Sequence, residues 1–213
     1  MALYKTITVD EATKVLIWKI EESYQWLCND VKLTEHCQQR VDSMKSDLHR
    51  RGFMSIRHLM AEAGYTDSDL YYDEQGKPHL RDDNYISITH SFEFTGIIIS
   101  KKPIGIDIEK QREKILKIAH KFTPLEEYHT LANEEALIRK LTIVWGAKES
   151  IYKLLGIPGL LFLHHINVKD FNFEENQTSA VVNFQGKKSN YHINYLEFEG
   201  FTCVYVQTEK NKF

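Results

Sequence analysis

The chain has 213 residues, 42% hydrophobic and 27% charged, a balance that supports a folded core and does not read as disorder. Its formal charge of −3, from 30 acids against 27 bases, argues against the broad basic excess of nucleic-acid-binding proteins. Cys28, Cys37 and Cys203 are odd in number and lack metal-ligand spacing, which fits a reducing compartment and gives no zinc signature. The N-terminus MALYKTITVDEATK is polar within a few residues, and no apolar run approaches the ~20 residues of a membrane span. The expectation is a soluble, cytoplasmic protein.

In chain order, Lys14–Ile20 (KVLIWKI) reads as a short strand and residues 21–63 as mainly helical. The last helical piece, Ser46–Ala63, sets Leu48, Ile56, Leu59 and Ala63 at near-helical spacing and stops before Gly64. Asp73–Pro78 (DEQGKP) is a turn by its glycine and proline. Three strand-like runs follow, Tyr85–His90, Thr95–Ser100 and Ile104–Glu109, with links so short that they predict an antiparallel meander. A helical stretch from Lys110, a loop near Phe122–Pro124 and a long helix from Glu134 to Leu155 come next, the last ended by Gly156, Pro158 and Gly159. Strands are then expected at Ile166–Phe171, Ala180–Phe184, Tyr191–Glu197 and Phe201–Gln207, with a tight turn at Glu199-Gly200. Each half carries a helical block and a small antiparallel sheet. The fold expected is α+β, with two similar lobes, 1–102 and 103–213.

In Ile104–Glu109 the isoleucines alternate with Gly105, Asp107 and Glu109, so both carboxylates share one strand face about 7 Å apart. Such a face is either solvated or holds a cation. Magnesium suits it, because that hard ion takes a few carboxylates and completes its shell with water and phosphate, and Gly105 would let a ligand approach the backbone. In the long helix, Leu137, Leu141, Val144, Trp145, Ile151, Tyr152 and Leu155 form one apolar stripe, with Lys148 near its centre and Glu149 and Lys153 at its border. An i,i+4 ion pair accounts for Glu149 and Lys153. Lys148 needs an anionic partner or a path to solvent, and a phosphate-bearing ligand would supply the former. His90 ends the strand ISITH beside Thr89 and Ser91, Lys77 sits on the Gly76-Lys77-Pro78 turn, and Arg50 and Arg57 share a helix face that holds phosphates or faces water.

Taken in order, RRGFMSIRHLM, GKP, ISITHS, IGIDIEK, KFTPLEEY and WGAKESIYK resemble the Sfp-type 4′-phosphopantetheinyl transferases, of the holo-[acyl-carrier-protein] synthase superfamily. The resemblance runs from about Arg50 to Leu163 and implies a pseudo-dimer of two α/β lobes with the active site between them. It implies a substrate, coenzyme A, whose phosphopantetheine passes to a serine of an apo acyl or peptidyl carrier protein with release of 3′,5′-ADP. By the same resemblance Asp107, Glu109 and Glu149 hold magnesium, with manganese as an alternative. Glu149 takes the serine proton and Lys153 assists the leaving group. Lys77, Thr89, His90, Arg57 and Lys148 bind the coenzyme's phosphates. Where the family has Ser-His-Ser-Gly this chain has Thr89-His90-Ser91-Phe92, which leaves the loop after His90 open, and the N-terminal basic residue for the 3′-phosphate is open between Lys45 and Arg50.

Lys110–Lys121 (KQREKILKIAHK) sets Lys110, Arg112, Lys114, Lys117 and Lys121 against the single acid Glu113, with Ile115, Leu116, Ile118 and Ala119 as an apolar strip. Carrier proteins of this system are acidic, so the segment is a candidate docking helix. The length suits a monomer. Two other readings of the residues are a metal-dependent phosphodiesterase or nuclease, against which the charge balance speaks, and a non-catalytic CoA-binding module, against which Asp107, Glu149 and Lys153 speak.

Overall fold

The computed structural model describes residues 3–124 and 133–208. It is a mixed α+β protein with antiparallel sheets, and its chain divides into two compact units, Met1–Lys102 and Pro103–Phe213. No helix among the described residues is long and apolar enough to cross a membrane.

The first unit is built on a four-stranded sheet in the order β1-β2-β6-β5, from β1 (Leu3–Asp10), β2 (Thr13–Lys19), β5 (Tyr85–Ser91) and β6 (Phe94–Ser100), all antiparallel. Three helices, α1 (Tyr24–Cys28), α2 (Glu35–Asp42) and α3 (Asp47–Glu62), and a hairpin of β3 (Leu70–Tyr72) with β4 (Pro78–Leu80) complete it. Helix α3 begins where Ser46 accepts a hydrogen bond from the His49 amide and carries Asp47 in its first turn, both favourable at a helix N-terminus. Its buried residues Met54, Ile56, Leu59 and Met60 join Leu16, Trp18 and Ile97 of the sheet in this unit's core. The stretch 21–63, expected as mainly helical, is thus three helices with non-helical connections, and β1, β3 and β4 were not expected.

The second unit has a five-stranded sheet in the order β7-β11-β10-β9-β8, from β7 (Ile104–Lys110), β8 (Ile166–Val168), β9 (Gln177–Phe184), β10 (Lys187–Phe198) and β11 (Phe201–Thr208). Here the expected meander is corrected. β5 and β6 do form a hairpin, but β6 already has β2 and β5 on its two sides, and β7 pairs with β11 instead, Asp107 opposite Val204. The turn at Glu199-Gly200 has φ of 47° and 75°, and that at Gln185-Gly186 has 50° and 74°, the pair of positive values of a type I′ hairpin turn.

Helix α5 (Glu134–Leu155) matches the expected span. The Asn133 side chain accepts from the Ala136 amide at its start, Glu134 and Glu135 lie in its first turn, and Gly156 ends it in the left-handed conformation. Its buried face, with Leu141, Val144, Ala147 and Ile151, belongs to this unit's core. Two glycines let it press onto the sheet. A Cβ on Gly105 would stand 1.9 Å from the Ser150 carbonyl oxygen, and one on Gly146 would stand 2.8 Å from a Val204 methyl. The Ser150 hydroxyl also donates to the Val204 carbonyl. The helix backbone, and not a ligand, is therefore what Gly105 admits.

Within 110–121 the helical residues are α4 (Lys114–Ile118) and a 3-10 turn at Ala119–Lys121, since β7 runs on to Lys110. Ile115, Leu116 and Ile118 pack against the core and Ala119 is buried in it, so the strip considered for docking is taken up by the fold, while Lys114 and Lys117 stay exposed. The KFTPLEEY segment is described only through Pro124; Leu125–Tyr128 lie outside the described residues.

Gly105→Ala should destabilise the protein by more than the roughly 1–3 kcal/mol of ordinary overpacking, because the clash is with helix backbone. Urea denaturation should show a loss above that range or no folded protein, and wild-type stability would contradict the packing described.

Candidate active site

Strand β7 and helix α5 meet with their chemical groups in matched order. Trp145, Glu149 and Lys153 follow one another at four-residue steps, so they fall along one stripe of the helix. At one end the Lys153 ammonium donates to Asp107 Oδ1 at 2.7 Å and to the Ile106 carbonyl at 3.0 Å. At the other the Trp145 indole N–H donates to Glu109 Oε1 at 3.2 Å. Glu149 lies between these two donors along the helix. The pairing of Lys153 is across to the strand, which replaces the i,i+4 surface pair as the account of that lysine.

Asp107 is buried, with 5% of its surface exposed. Glu109 and Glu149 are half-buried. Burial first, then the nearby Asp107, pushes Glu109 up to about 7, against the pull of the Trp145 N–H and the Lys153 ammonium, with Glu149 pushing further upward. Burial and Asp107 likewise raise Glu149, opposed by Lys153. Three acids thus feel one another in a partly dry place with one lysine to offset them.

Among the described residues no three His, Cys, Asp or Glu side chains close into a metal cage. Magnesium does not require one, since it binds through one or two carboxylates plus water and substrate phosphate. The donor set is all oxygen, and the penalty that lifts Glu109 and Glu149 is one a bound divalent cation relieves. The residues fit such an ion.

Two of the expected phosphate ligands are corrected. Lys148 is 2% exposed, and its ammonium donates to the carbonyls of Phe122, Phe162 and Ile166, a set of partners internal to the fold that answers its place in the apolar stripe without a phosphate. Arg57 is 4% exposed and bonds through Nε to Asp67 at 2.9 Å, and its guanidinium lies 3.6 Å from the Phe53 ring centroid and donates to the Phe53 carbonyl and Cys37 sulfur. Asp67 in turn accepts from the Thr34 amide and hydroxyl. This arginine ties α2, α3 and the turn before β3 together. Its guanidinium donors are taken up within the first unit.

The other first-unit candidates sit on local scaffolds. Lys77 lies in the β3–β4 turn, where the Asp73 carboxylate accepts from its amide, and Gly76 takes a φ of 80°. Burial lowers the Lys77 ammonium, partly offset by Asp73. Thr89 is buried in β5, while His90 is exposed at the strand's end with the His49 ring 6.2 Å away. The loop after His90 is a two-residue turn of Phe92 and Glu93 between Ser91 and Phe94, and Phe92 adopts a φ of 51°, the left-handed backbone that glycine takes most easily. Arg50 pairs with Asp47 and lies over the Tyr24 ring. Trp145 is the participant that sequence reasoning passed over, because it was counted in the apolar stripe. Its ring does pack, edge-on to Phe122 at 5.1 Å, while its N–H does something else.

This constellation lies in residues 103–206, which match the family model described as the 4′-phosphopantetheinyl transferase superfamily. The chain is similar to the 4′-phosphopantetheinyl transferase gsp of Aneurinibacillus migulanus, 35% identical over 133 residues covering 61% of this chain and 54% of that protein. It is 33% identical over 121 residues to a 4′-phosphopantetheinyl transferase of Bacillus subtilis and 32% over 121 residues to 4′-phosphopantetheinyl transferase Sfp of Bacillus subtilis strain 168, each covering 53% of this chain and 54% of the relative. The chain spans about half the length of the curated relatives it matches.

A carboxyl with a raised pKa in the fold keeps its proton after the unfolded chain has lost it. The Glu109 contribution to stability therefore falls as pH rises from its ordinary 4.5 to about 7, then levels. In chelator-treated buffer Glu109→Gln should melt higher than wild type at pH 8 and alike near pH 4. Parallel pH profiles of the two proteins would contradict this.

Proposed function

We propose that the protein transfers the 4′-phosphopantetheine group of coenzyme A to a serine of an apo carrier protein, releasing 3′,5′-ADP. The observation that carries the reading is the meeting of Asp107 and Glu109 with Glu149 and Lys153 inside residues that match this superfamily's model. Asp107, Glu109 and Glu149 would hold magnesium, or manganese in its place, and the bound ion neutralises charge on the coenzyme's diphosphate. Glu149, whose carboxyl burial and Asp107 raise above its ordinary value, suits the role of proton acceptor for the serine hydroxyl. The serine oxygen forms a bond to the phosphorus that carries pantetheine, and the bond from that phosphorus to 3′,5′-ADP breaks. Lys153, held beside Asp107, supplies positive charge to the departing group. Lys77, Thr89 and His90 of the first unit contribute contacts to the coenzyme's phosphates. Arg57 and Lys148 do not enter, since both spend their donors inside the fold.

The reading extends to the chain's two similar lobes as a pseudo-dimer, and to a cytoplasmic monomer. For the carrier, the supporting feature is the exposed basic edge at Lys114 and Lys117, which complements an acidic partner. The apolar residues beside it serve the core.

Incubation with coenzyme A, magnesium and apo carrier should add the mass of phosphopantetheine to the carrier serine; no gain with several carriers overturns the proposal. Asp107→Ala should lower the rate by at least about 100-fold, in the range of lost electrostatic stabilisation, and Lys153→Ala should lower kcat more than affinity for coenzyme A. Charge reversal at Lys114 and Lys117 should raise KM for the carrier and leave KM for coenzyme A unchanged. An equal rise for both substrates would remove these lysines from docking.

A further inference from the structure

We infer that Trp145 is a positioning residue: its indole N–H fixes one oxygen of Glu109 so that the other is presented to a divalent cation. Glu109 stands near the end of β7, two residues from Asp107 on the same strand face and within the electrostatic reach of Glu149. Left alone, a half-buried carboxylate in that company is driven outward by its neighbours. The contact from Trp145 Nε1 to Glu109 Oε1 at 3.2 Å opposes that drift. The donor is itself held, with the Phe122 ring edge-on at 5.1 Å and the Phe162 ring at 5.5 Å, and Phe162 rests in turn against Tyr152 at 5.9 Å. An aromatic side chain packed in this way has little freedom to follow a moving carboxylate.

The choice of donor matters as much as its placement. Indole nitrogen only donates, so it favours the acceptor form of the carboxylate. It is also neutral. Lys153 offsets the charge of the Asp107 it grips, whereas Trp145 orients Glu109 and leaves its negative charge intact for a cation. The helix thus grips the two strand acids by different means, one that cancels charge and one that keeps it. Partners of this kind, behind a metal ligand, ordinarily change metal affinity by about 10–100-fold when removed.

The inference rests on the site being a divalent-cation centre, and its test is binding rather than turnover. Free Mn2+ would be titrated against the protein by electron paramagnetic resonance, without coenzyme A or carrier. The proteins compared are wild type, Trp145→Phe, and a variant with β-(3-benzothienyl)alanine at position 145, which keeps the bicyclic shape and lacks the N–H. Both variants should bind Mn2+ about tenfold more weakly, and in a Glu109→Gln background the loss should disappear. Should the phenylalanine variant fail to fold, the isosteric one decides. Unchanged Mn2+ affinity without the N–H, an equal loss in the Glu109→Gln background, or no Mn2+ binding by wild type would each overturn the inference. A wild type that binds Mn2+ as described and transfers no phosphopantetheine would sink the transferase reading and leave this one standing.

Discussion

At Gly105 the backbone of β7 and the backbone of α5 come closer than any side chain would permit, with the Ser150 carbonyl where a Cβ would be. Gly146 gives the same concession to Val204 one turn earlier. Nearly everything chemical in the second unit depends on that contact. It brings the helix stripe of Trp145, Glu149 and Lys153 within hydrogen-bonding reach of short strand carboxylates, so that Lys153 grips Asp107 directly. A larger residue at either glycine would move the helix away, and the acids and their donors would part before any ligand came near.

Burial and pairing separate the charged residues into those whose partners lie inside the fold and those left among like charges. Arg57 and Lys148 looked like ligand groups because a charge on a helix invites a partner outside it. Both found partners inside: Arg57 a carboxylate and an aromatic ring, Lys148 a ring of carbonyls. Such groups are costly to disturb, since removing a partner strands a buried charge. The acids on β7 and α5 differ. Asp107 has Lys153, but Glu109 and Glu149 sit beside acids of like sign, and burial together with Asp107 raises both of their carboxyls.

Much of the second unit was legible in the sequence because its signals are local. The alternation of Ile104–Glu109 put both acids on one face, and Gly156 with Pro158 marked the end of α5. Pairing was less legible. Short links argued for a β5–β6–β7 meander, yet which edge a strand joins depends on edges already filled, and β2 had filled that of β6. Strand β1 escaped although Ile7-Thr8-Val9-Asp10 alternates, because only Leu3, Ile7 and Val9 are even half-buried and Lys5 interrupts their face, which leaves a very short signal. Trp145 escaped for a related reason. Periodicity registers that a ring is buried and is silent about where its single polar atom points.

The hairpin at Glu199-Gly200 bears on the acids from far along the chain. Among the described residues strand β7 stands at one end of its sheet and pairs there with β11, with Asp107 opposite Val204 and Glu109 opposite Thr202. The register of β11 is in turn locked to β10 by that two-residue turn. A slip of one position along β7 would rotate Asp107 and Glu109 to the far face and present isoleucines to Glu149. Length changes in the last hairpin thus amount to edits of the acidic site itself, made without touching any residue in it.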